Sequence, residues 1–175
     1  MYLQSRLSNE HLILEPLQQE DFVELYAVAS DPLIWEQHPN PDRYKEDVFT
    51  TYFEGAMASG GAFLVRDLGS GRAIGGTRFY DLLPDQGEVK IGYTFFSRAC
   101  WGTSINRQVK TLMLDHAFTR LERVVFHVGA LNIRSRKAMQ KLGASQIGEE
   151  QVAYYGEPAK TNVVFLMTRE AWLNR

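Results

Sequence analysis

A short polar turn between a strand and a helix carries residue types that could bind a phosphate group. The strand is predicted to end at Phe95 and Phe96, and the helix to begin just after Gly102. The first N–H groups of a helix have no partner inside it and lie at the positive end of the helix dipole, so they bind anions well. Thr103 or Ser104 could equally be an ordinary N-cap, so this turn alone leaves both interpretations open.

A second pair of polar residues stands at the predicted start of a later helix. Asn132 and Ser135 are three residues apart, which places them on one helix face. Both side chains could point into a cleft where the strand ending near Val128 leaves its neighbour. The simpler alternative is that Asn132 only caps the helix.

Positive charge is concentrated in the same part of the chain. The formal net charge is −2, but the segment from Arg98 to Lys141 holds nine basic and two acidic residues. A positive segment in an acidic protein indicates a polyanionic ligand, although solvated helix faces would give the same count. No basic tail is present, so a nucleic-acid partner is not expected.

The other reactive residue types predict little chemistry of their own. Cys100 is expected to be a small half-buried residue rather than a nucleophile, because no triad pattern follows it. The four histidines lack a spacing of four residues, so no metal site is predicted. His38, beside Trp35, is a candidate for lining a pocket, and His127 is a weaker candidate for a site residue.

The elements that must position these residues follow from hydrophobic periodicity. Helices are expected near residues 18–29, 43–58, 105–117 and 132–142, with a short one after Asp31. Strands are expected at residues 11–17, 62–67, 73–83, 88–96, 123–128, 144–153 and 162–168. An antiparallel meander followed by a strand–helix–strand unit predicts a mixed α/β fold with helices covering a mostly antiparallel sheet.

Length and composition support one domain covering residues 1–175. The chain is 45% hydrophobic and 23% charged, as in ordinary globular proteins. It contains no apolar run long enough to span a membrane, and its start lacks the apolar stretch of a signal peptide. The expectation is therefore a cytoplasmic protein without a membrane partner.

Taken together and in order, the motifs resemble those of the GCN5-related N-acetyltransferases (GNAT), and most closely a RimJ/RimL-like branch. The residues that carry the resemblance are Trp101 to Asn106, Asn132-x-x-Ser135 and Lys141-Leu-Gly143, with Ile74-Gly-Gly76 and Ile91-Gly-Tyr93 before them. The resemblance covers about residues 12–172. It implies a GNAT-like α/β fold with a mixed, mostly antiparallel sheet of six to seven strands flanked by helices.

The resemblance implies acetyl-CoA as the acetyl donor and no metal. In the family, the pyrophosphate lies on N–H groups of the turn before the helix, and the pantetheine arm pairs with the edge of the preceding strand. An asparagine at the Asn132 position bonds the arm. The implied cofactor-binding residues are therefore Phe95, Phe96, Trp101, Gly102, Thr103, Ser104, Ile105, Asn106 and Asn132. The family usually has glycine at Ser104 and glycine or alanine at Asn106.

Two residues are the candidates for acid–base catalysis. Many family members place a tyrosine acid where Met139 stands, and methionine cannot donate a proton. In the RimL-like branch a serine is the proposed acid, and Ser135 matches it. Glu88 is the carboxylate candidate for the base that takes the amine's proton. Its alternative role is that of a surface acid beside a turn.

The predicted function is direct transfer of acetyl from acetyl-CoA to a primary amine, either a protein N-terminus or a small amine, by a monomer or homodimer. Residues 1–97 hold 15 acidic and seven basic residues, which favours a cationic acceptor. Two alternatives remain: a degenerate, non-catalytic coenzyme A-binding module, and an α/β interaction domain without a ligand.

Overall fold

The computed structural model describes residues 3–175, which form a mixed sheet flanked by helices. Seven of the eight strands match the predicted ones. The addition is β1, which pairs with its neighbour over two residues and is too short to show any periodicity. The strands are β1 (Leu7–Ser8), β2 (Leu12–Pro16), β3 (Ala62–Asp67), β4 (Ala73–Leu83), β5 (Glu88–Phe96), β6 (Arg123–Gly129), β7 (Ser145–Val152) and β8 (Lys160–Thr168).

The strand order is β1-β2-β3-β4-β5-β6-β8-β7. Every neighbouring pair is antiparallel except β5 and β6, which are parallel. The predicted class, a mixed α/β fold with a mostly antiparallel sheet, is confirmed. The sheet has eight strands rather than the expected six to seven, because the short strand β1 was not predicted.

The helices begin and end at residues with clear capping roles. The Asp31 side chain accepts the N–H of Leu33, and α3 and α5 end at Gly60 and Gly143, both in the left-handed conformation. No helix within residues 3–175 is long and apolar enough to cross a membrane. The helices are α1 (Phe22–Ala29), α2 (Pro32–Trp35), α3 (Glu46–Ser59), α4 (Ile105–Ala117), α5 (Ile133–Leu142) and α6 (Arg169–Leu173), of which α6 was not predicted.

A separate hydrophobic core covers each face of the sheet. The larger core includes residues of α4, α5 and α6, and the smaller one includes residues of α1, α2 and α3. Strand β6 shows the alternation clearly: Val124, Phe126 and Val128 belong to the larger core, so His127 between them faces the other side. Whether a strand residue packs in the larger or the smaller core therefore depends on its position in the alternating pattern of the strand.

The sheet opens in its middle because β5 and β6 diverge. They are paired only from Glu88↔Arg123 to Lys90↔Val125. Beyond that point β5 bends, since Tyr93 has a φ of 52° and the β4–β5 register shifts nearby. A tyrosine with positive φ is strained and persists only where its surroundings hold it. The result is a gap bordered by the carboxyl-terminal halves of two neighbouring strands.

Candidate active site

The gap between β5 and β6 is a cavity of about 820 Å³ that reaches through the sheet. Its wall contains Phe96 and Met139 of the larger core and also Ile34 and Phe95 of the smaller core. One ligand can therefore approach from the side of α4 and α5, and another from the side of α1 to α3. The volume is within the range of pockets that hold small-molecule ligands.

The N-terminus of α4 forms one part of the cavity wall. The lining residues here are Trp101, Gly102, Thr103, Ser104 and Asn106, whose role in cofactor binding stays a prediction. The turn is fixed by the hydroxyl of Thr103, which donates to a carbonyl oxygen of the preceding turn at 2.6 Å. A cluster of unpaired N–H groups at the positive end of a helix is therefore presented to the cavity.

Ile105 does not belong to this wall. Its N–H donates to the Thr103 hydroxyl at 3.3 Å, and its side chain packs against the larger core. The first N–H of α4 is thus used within the turn, and the role of Ile105 in cofactor binding stays a prediction. Phe95 and Phe96 do line the cavity, at the end of β5.

Basic side chains surround the same part of the cavity. Arg107 comes from α4, and Lys137 and Lys141 come from α5. Arg134, also on α5, stacks on Trp101 with its guanidinium carbon 3.6 Å from the ring centroid. Five of the nine basic residues between Arg98 and Lys141 therefore line one cavity, which favours an anionic ligand.

Asn132 and Ser135 reach the cavity together. The Asn132 side-chain oxygen accepts the N–H of Ser135 at 3.1 Å, so Asn132 caps α5 and also lines the cavity. Both interpretations of Asn132 are therefore compatible. The Ser135 hydroxyl makes no hydrogen bond within residues 3–175, and Met139 lies one helical turn further along the same wall. A hydroxyl donor is thus presented to the cavity.

Glu88 lies outside the cavity. It begins β5, in the stretch where β5 and β6 are still paired, and its carboxylate is 2.9 Å from the Arg123 guanidinium. The structure therefore does not bring Glu88 together with Ser135. The sequence placed it on the correct strand, but the strands separate only towards its other end.

Two histidines, His38 and His127, line the cavity on the α1–α3 side. Burial, reinforced by Arg43 and Arg134, lowers the pKa of His38 to about 3, so His38 is neutral. His127 lies 3.4 Å from the Tyr80 hydroxyl and 3.2 Å from the Glu150 carboxylate. Burial lowers the pKa of His127 as well, and Glu150, 61% exposed, connects it to solvent.

Lys110 is a cavity residue that the sequence did not indicate. It is 3% exposed, lines the cavity, and donates to the hydroxyls of Thr94 at 2.5 Å and Thr77 at 3.3 Å. Burial lowers its pKa to about 7. The available signal was its position on the apolar face of α4, next to Val109 and one turn before Met113.

Replacing Lys110 with methionine is expected to stabilise the protein near neutral pH. The folded-state pKa of the lysine lies below its unfolded value, so the unfolded state binds more protons between about pH 7 and 10. Wild-type stability should therefore rise by about 3 kcal/mol from pH 7 to 9.5, and the variant should lack this rise. Urea unfolding at both pH values measures it; parallel pH profiles for the two proteins would contradict the expectation.

The charge of the cavity wall differs from what the sequence led us to expect. Within residues 3–175, no aspartate or glutamate lines the cavity, whereas six basic side chains do. The acidic surplus of residues 1–97 lies elsewhere, for example in Glu15 and Glu24, which both pair with Arg66. The argument for a cationic acceptor therefore loses its structural basis. The six basic residues are Arg43, Arg107, Lys110, Arg134, Lys137 and Lys141.

Comparison with known families agrees with this architecture. The sequence model of the acetyltransferase (GNAT) domain matches residues 11–145. The chain belongs to the GNAT acetyltransferase family. The resemblance seen in the sequence is thereby confirmed at the level of the family, and the RimJ/RimL-like branch stays a prediction. No curated protein sequence matches this GNAT chain.

Solved structures of GNAT proteins share the fold of this chain. A GCN5-related N-acetyltransferase from Brucella melitensis is 20% identical, with a TM-score of 0.80 over 97% of this chain and 81% of the other. RimJ from Mycobacterium smegmatis, in complex with CoA-disulfide, is 17% identical, with a TM-score of 0.71 over 95% and 87%. Spermidine N-acetyltransferase from Vibrio cholerae, in complex with CoA and spermine, is 16% identical, with a TM-score of 0.70 over 95% and 100%.

Proposed function

We propose that the protein transfers an acetyl group from acetyl-CoA directly to a primary amine in the cavity between β5 and β6. The observation that carries this proposal is that the cavity reaches both faces of the sheet. It presents a helix N-terminus and basic residues near α4 and α5, and histidines on the α1–α3 side. Two substrates can thus meet without a covalent enzyme intermediate.

The α4 side of the cavity suits coenzyme A. The N–H groups of Gly102, Ser104 and Asn106 make no hydrogen bond within residues 3–175 and can bind a pyrophosphate. Arg107, Lys137 and Lys141 supply positive charge for the phosphates. Past Lys90, the β5 edge facing β6 has no strand partner and can pair with the amide groups of an extended arm. Acetyl-CoA would supply an activated acetyl thioester whose thiolate can leave.

The α1–α3 side suits the amine. A lysine-like ammonium has a pKa near 10.4, so its proton must be taken before the nitrogen can attack. His127 is our proposal for this base in place of Glu88, because it lines the cavity and contacts the solvent-exposed Glu150. The acceptor remains either a protein N-terminus or a small amine.

Changing His127 to asparagine tests its role. We expect kcat/KM to fall about 10- to 100-fold, with loss of the acidic limb of the pH profile, because the neutral histidine must accept a proton. The pH dependence of kcat/KM measures this. A variant that keeps the wild-type limb would assign the base to another group or to water.

Cys100 is not expected to take part in the transfer. Its thiol is buried and lies 3.3 Å from the Ser97 hydroxyl, without a histidine to activate it. Cys100→Ala should keep turnover within a few-fold of wild type. Ping-pong kinetics together with an acetylated Cys100 would overturn direct transfer.

The competing proposal is a coenzyme A-binding module without turnover. It is favoured by Ser104, Asn106 and Met139, which differ from the residues that the family usually has at these positions. Calorimetry with acetyl-CoA and with free CoA, followed by a thiol-release assay over a panel of amines, separates the proposals. Binding with no transfer to any amine would favour the module. Absence of binding would remove both.

A further inference from the structure

The cavity wall on the α1–α3 side contains a buried arginine that is only partly satisfied. Arg43 is 3% exposed and lines the cavity. Its Nε and Nη2 each donate to the Glu157 carboxylate at 2.8 Å, which forms a bidentate ion pair. The third guanidinium nitrogen, Nη1, makes no hydrogen bond within residues 3–175, so one donor group of a wall residue remains available.

A second guanidinium lies directly behind the same wall. Arg78 is 2% exposed, and its guanidinium carbon lies 3.8 Å from the ring centroid of Tyr93, which lines the cavity. It donates to the Tyr52 carbonyl oxygen at 3.3 Å, but its Nε has no hydrogen-bond partner. Among the described residues, no carboxylate lies within salt-bridge distance of it.

The charges of this cluster do not balance. Arg43 and Arg78 are both buried, but only Arg43 has a carboxylate partner, that of Glu157. A buried charge without a partner is costly, and interactions between charges strengthen where water is excluded. The contacts of Arg78 with Tyr93 and Tyr52 offset part of this cost. The cluster is still one negative charge short.

We propose that the amine acceptor carries its own anionic group, such as a carboxylate, which supplies this missing negative charge beside Arg43. The inference rests on the proposed acetyl transfer and names the acceptor class for it. Arg43 acts by direct contact from the wall, and Arg78 acts through its field behind Tyr93. Polycationic amines should bind poorly, because no carboxylate among residues 3–175 lines the cavity to pair with them.

Matched acceptors test this preference. One set consists of the C-terminally amidated dipeptides Ala-Glu, Ala-Gln and Ala-Lys, and the other of γ-aminobutyrate, its amide and putrescine. Within the set that fits the site, we expect kcat/KM for the anionic acceptor to be about 10- to 100-fold higher than kcat/KM for its amide. A ratio of this size corresponds to the free energy of one charge-assisted hydrogen bond. The cationic member should be the poorest, and the two sets distinguish a peptide from a small amine.

Two variants should move this ratio in opposite directions. Glu157→Gln removes the competing carboxylate and should raise the anionic-to-amide ratio, whereas Arg78→Met should lower it towards one. Arg72→Met and Glu54→Gln make the same charge changes at exposed positions and should leave the ratio unchanged. Thermal unfolding and CoA binding establish that each variant is folded. If Arg78→Met does not fold, the Glu157→Gln result alone decides.

The preference can fail independently of the proposed function. Equal rates within both sets, or faster acetylation of the cationic members, would overturn the anionic acceptor while leaving acetyl transfer in place. Should no member be acetylated, calorimetry of the three members of each set on the CoA complex still ranks their affinities. Equal or absent binding there would also overturn the inference, whereas failure to bind CoA would count against the proposed function instead.

Discussion

Gly102→Glu is expected to abolish binding of both acetyl-CoA and free CoA, with an affinity loss of about 100-fold or more. The substitution places a carboxylate at the N-terminus of α4, where it competes with the pyrophosphate for the same N–H groups. A Cβ at this position meets no atom within 4 Å, so the side chain has room, although the φ of 72° adds some strain. Calorimetry measures the change.

Gly102→Asn is the matched control. Asparagine tolerates the left-handed conformation better than other residues with a side chain, and it adds no charge. We expect it to retain most of the affinity. A folded Gly102→Glu protein with wild-type affinity would move the cofactor site away from α4.

Ser135→Ala is expected to lower kcat by about 10- to 1000-fold. Its hydroxyl lines the cavity without a protein hydrogen bond, so it can donate to the departing thiolate. Affinity for acetyl-CoA should change little, because the neutral thioester sulfur is a weak acceptor. An equal loss in kcat and kcat/KM would then indicate an interaction made mainly in the transition state.

Ser135→Thr retains a hydroxyl and serves as the control, with Ser145→Ala as an exposed serine outside the cavity. If the Ser135 hydroxyl takes no part in the transfer, the alanine variant would keep its kcat. Met139→Tyr in the alanine background is the companion test. Partial recovery of kcat would place Met139 beside the sulfur, and no recovery would leave it as a core residue.

The parts of the site that the sequence predicted are those carried by a single local segment. The turn before α4 and the Asn132–Ser135 pair each combine a helix start with suitable side chains within six residues, so periodicity and capping rules locate them. The fold class followed from the same rules. Segments of two and five residues, β1 and α6, carry too few positions to show a period.

What the sequence could not provide were the contacts between distant segments. Arg43 meets Glu157 from 114 positions away, and no local pattern links them. The position of Glu88 outside the cavity was hidden for a related reason: a sequence shows that a strand borders a cleft but not at which end the strands separate. The acidic surplus of residues 1–97 led to the expectation of a cationic acceptor for the same reason. A count of charged residues does not show on which surface of the protein these residues lie.

The short pairing between β5 and β6 has a consequence for the free protein. Among residues 3–175, three residue pairs from Glu88↔Arg123 to Lys90↔Val125 are the only strand ladder that joins the two halves of the sheet. The two halves of the sheet are thus joined at one end of β5, and the bend at Tyr93 keeps them apart at the other end. An extended arm that is hydrogen-bonded to β5 would add contacts between the two halves. Cofactor binding would then stabilise the contact between the two halves of the sheet. Part of the free energy of binding would be measured as an increase in the free energy of unfolding.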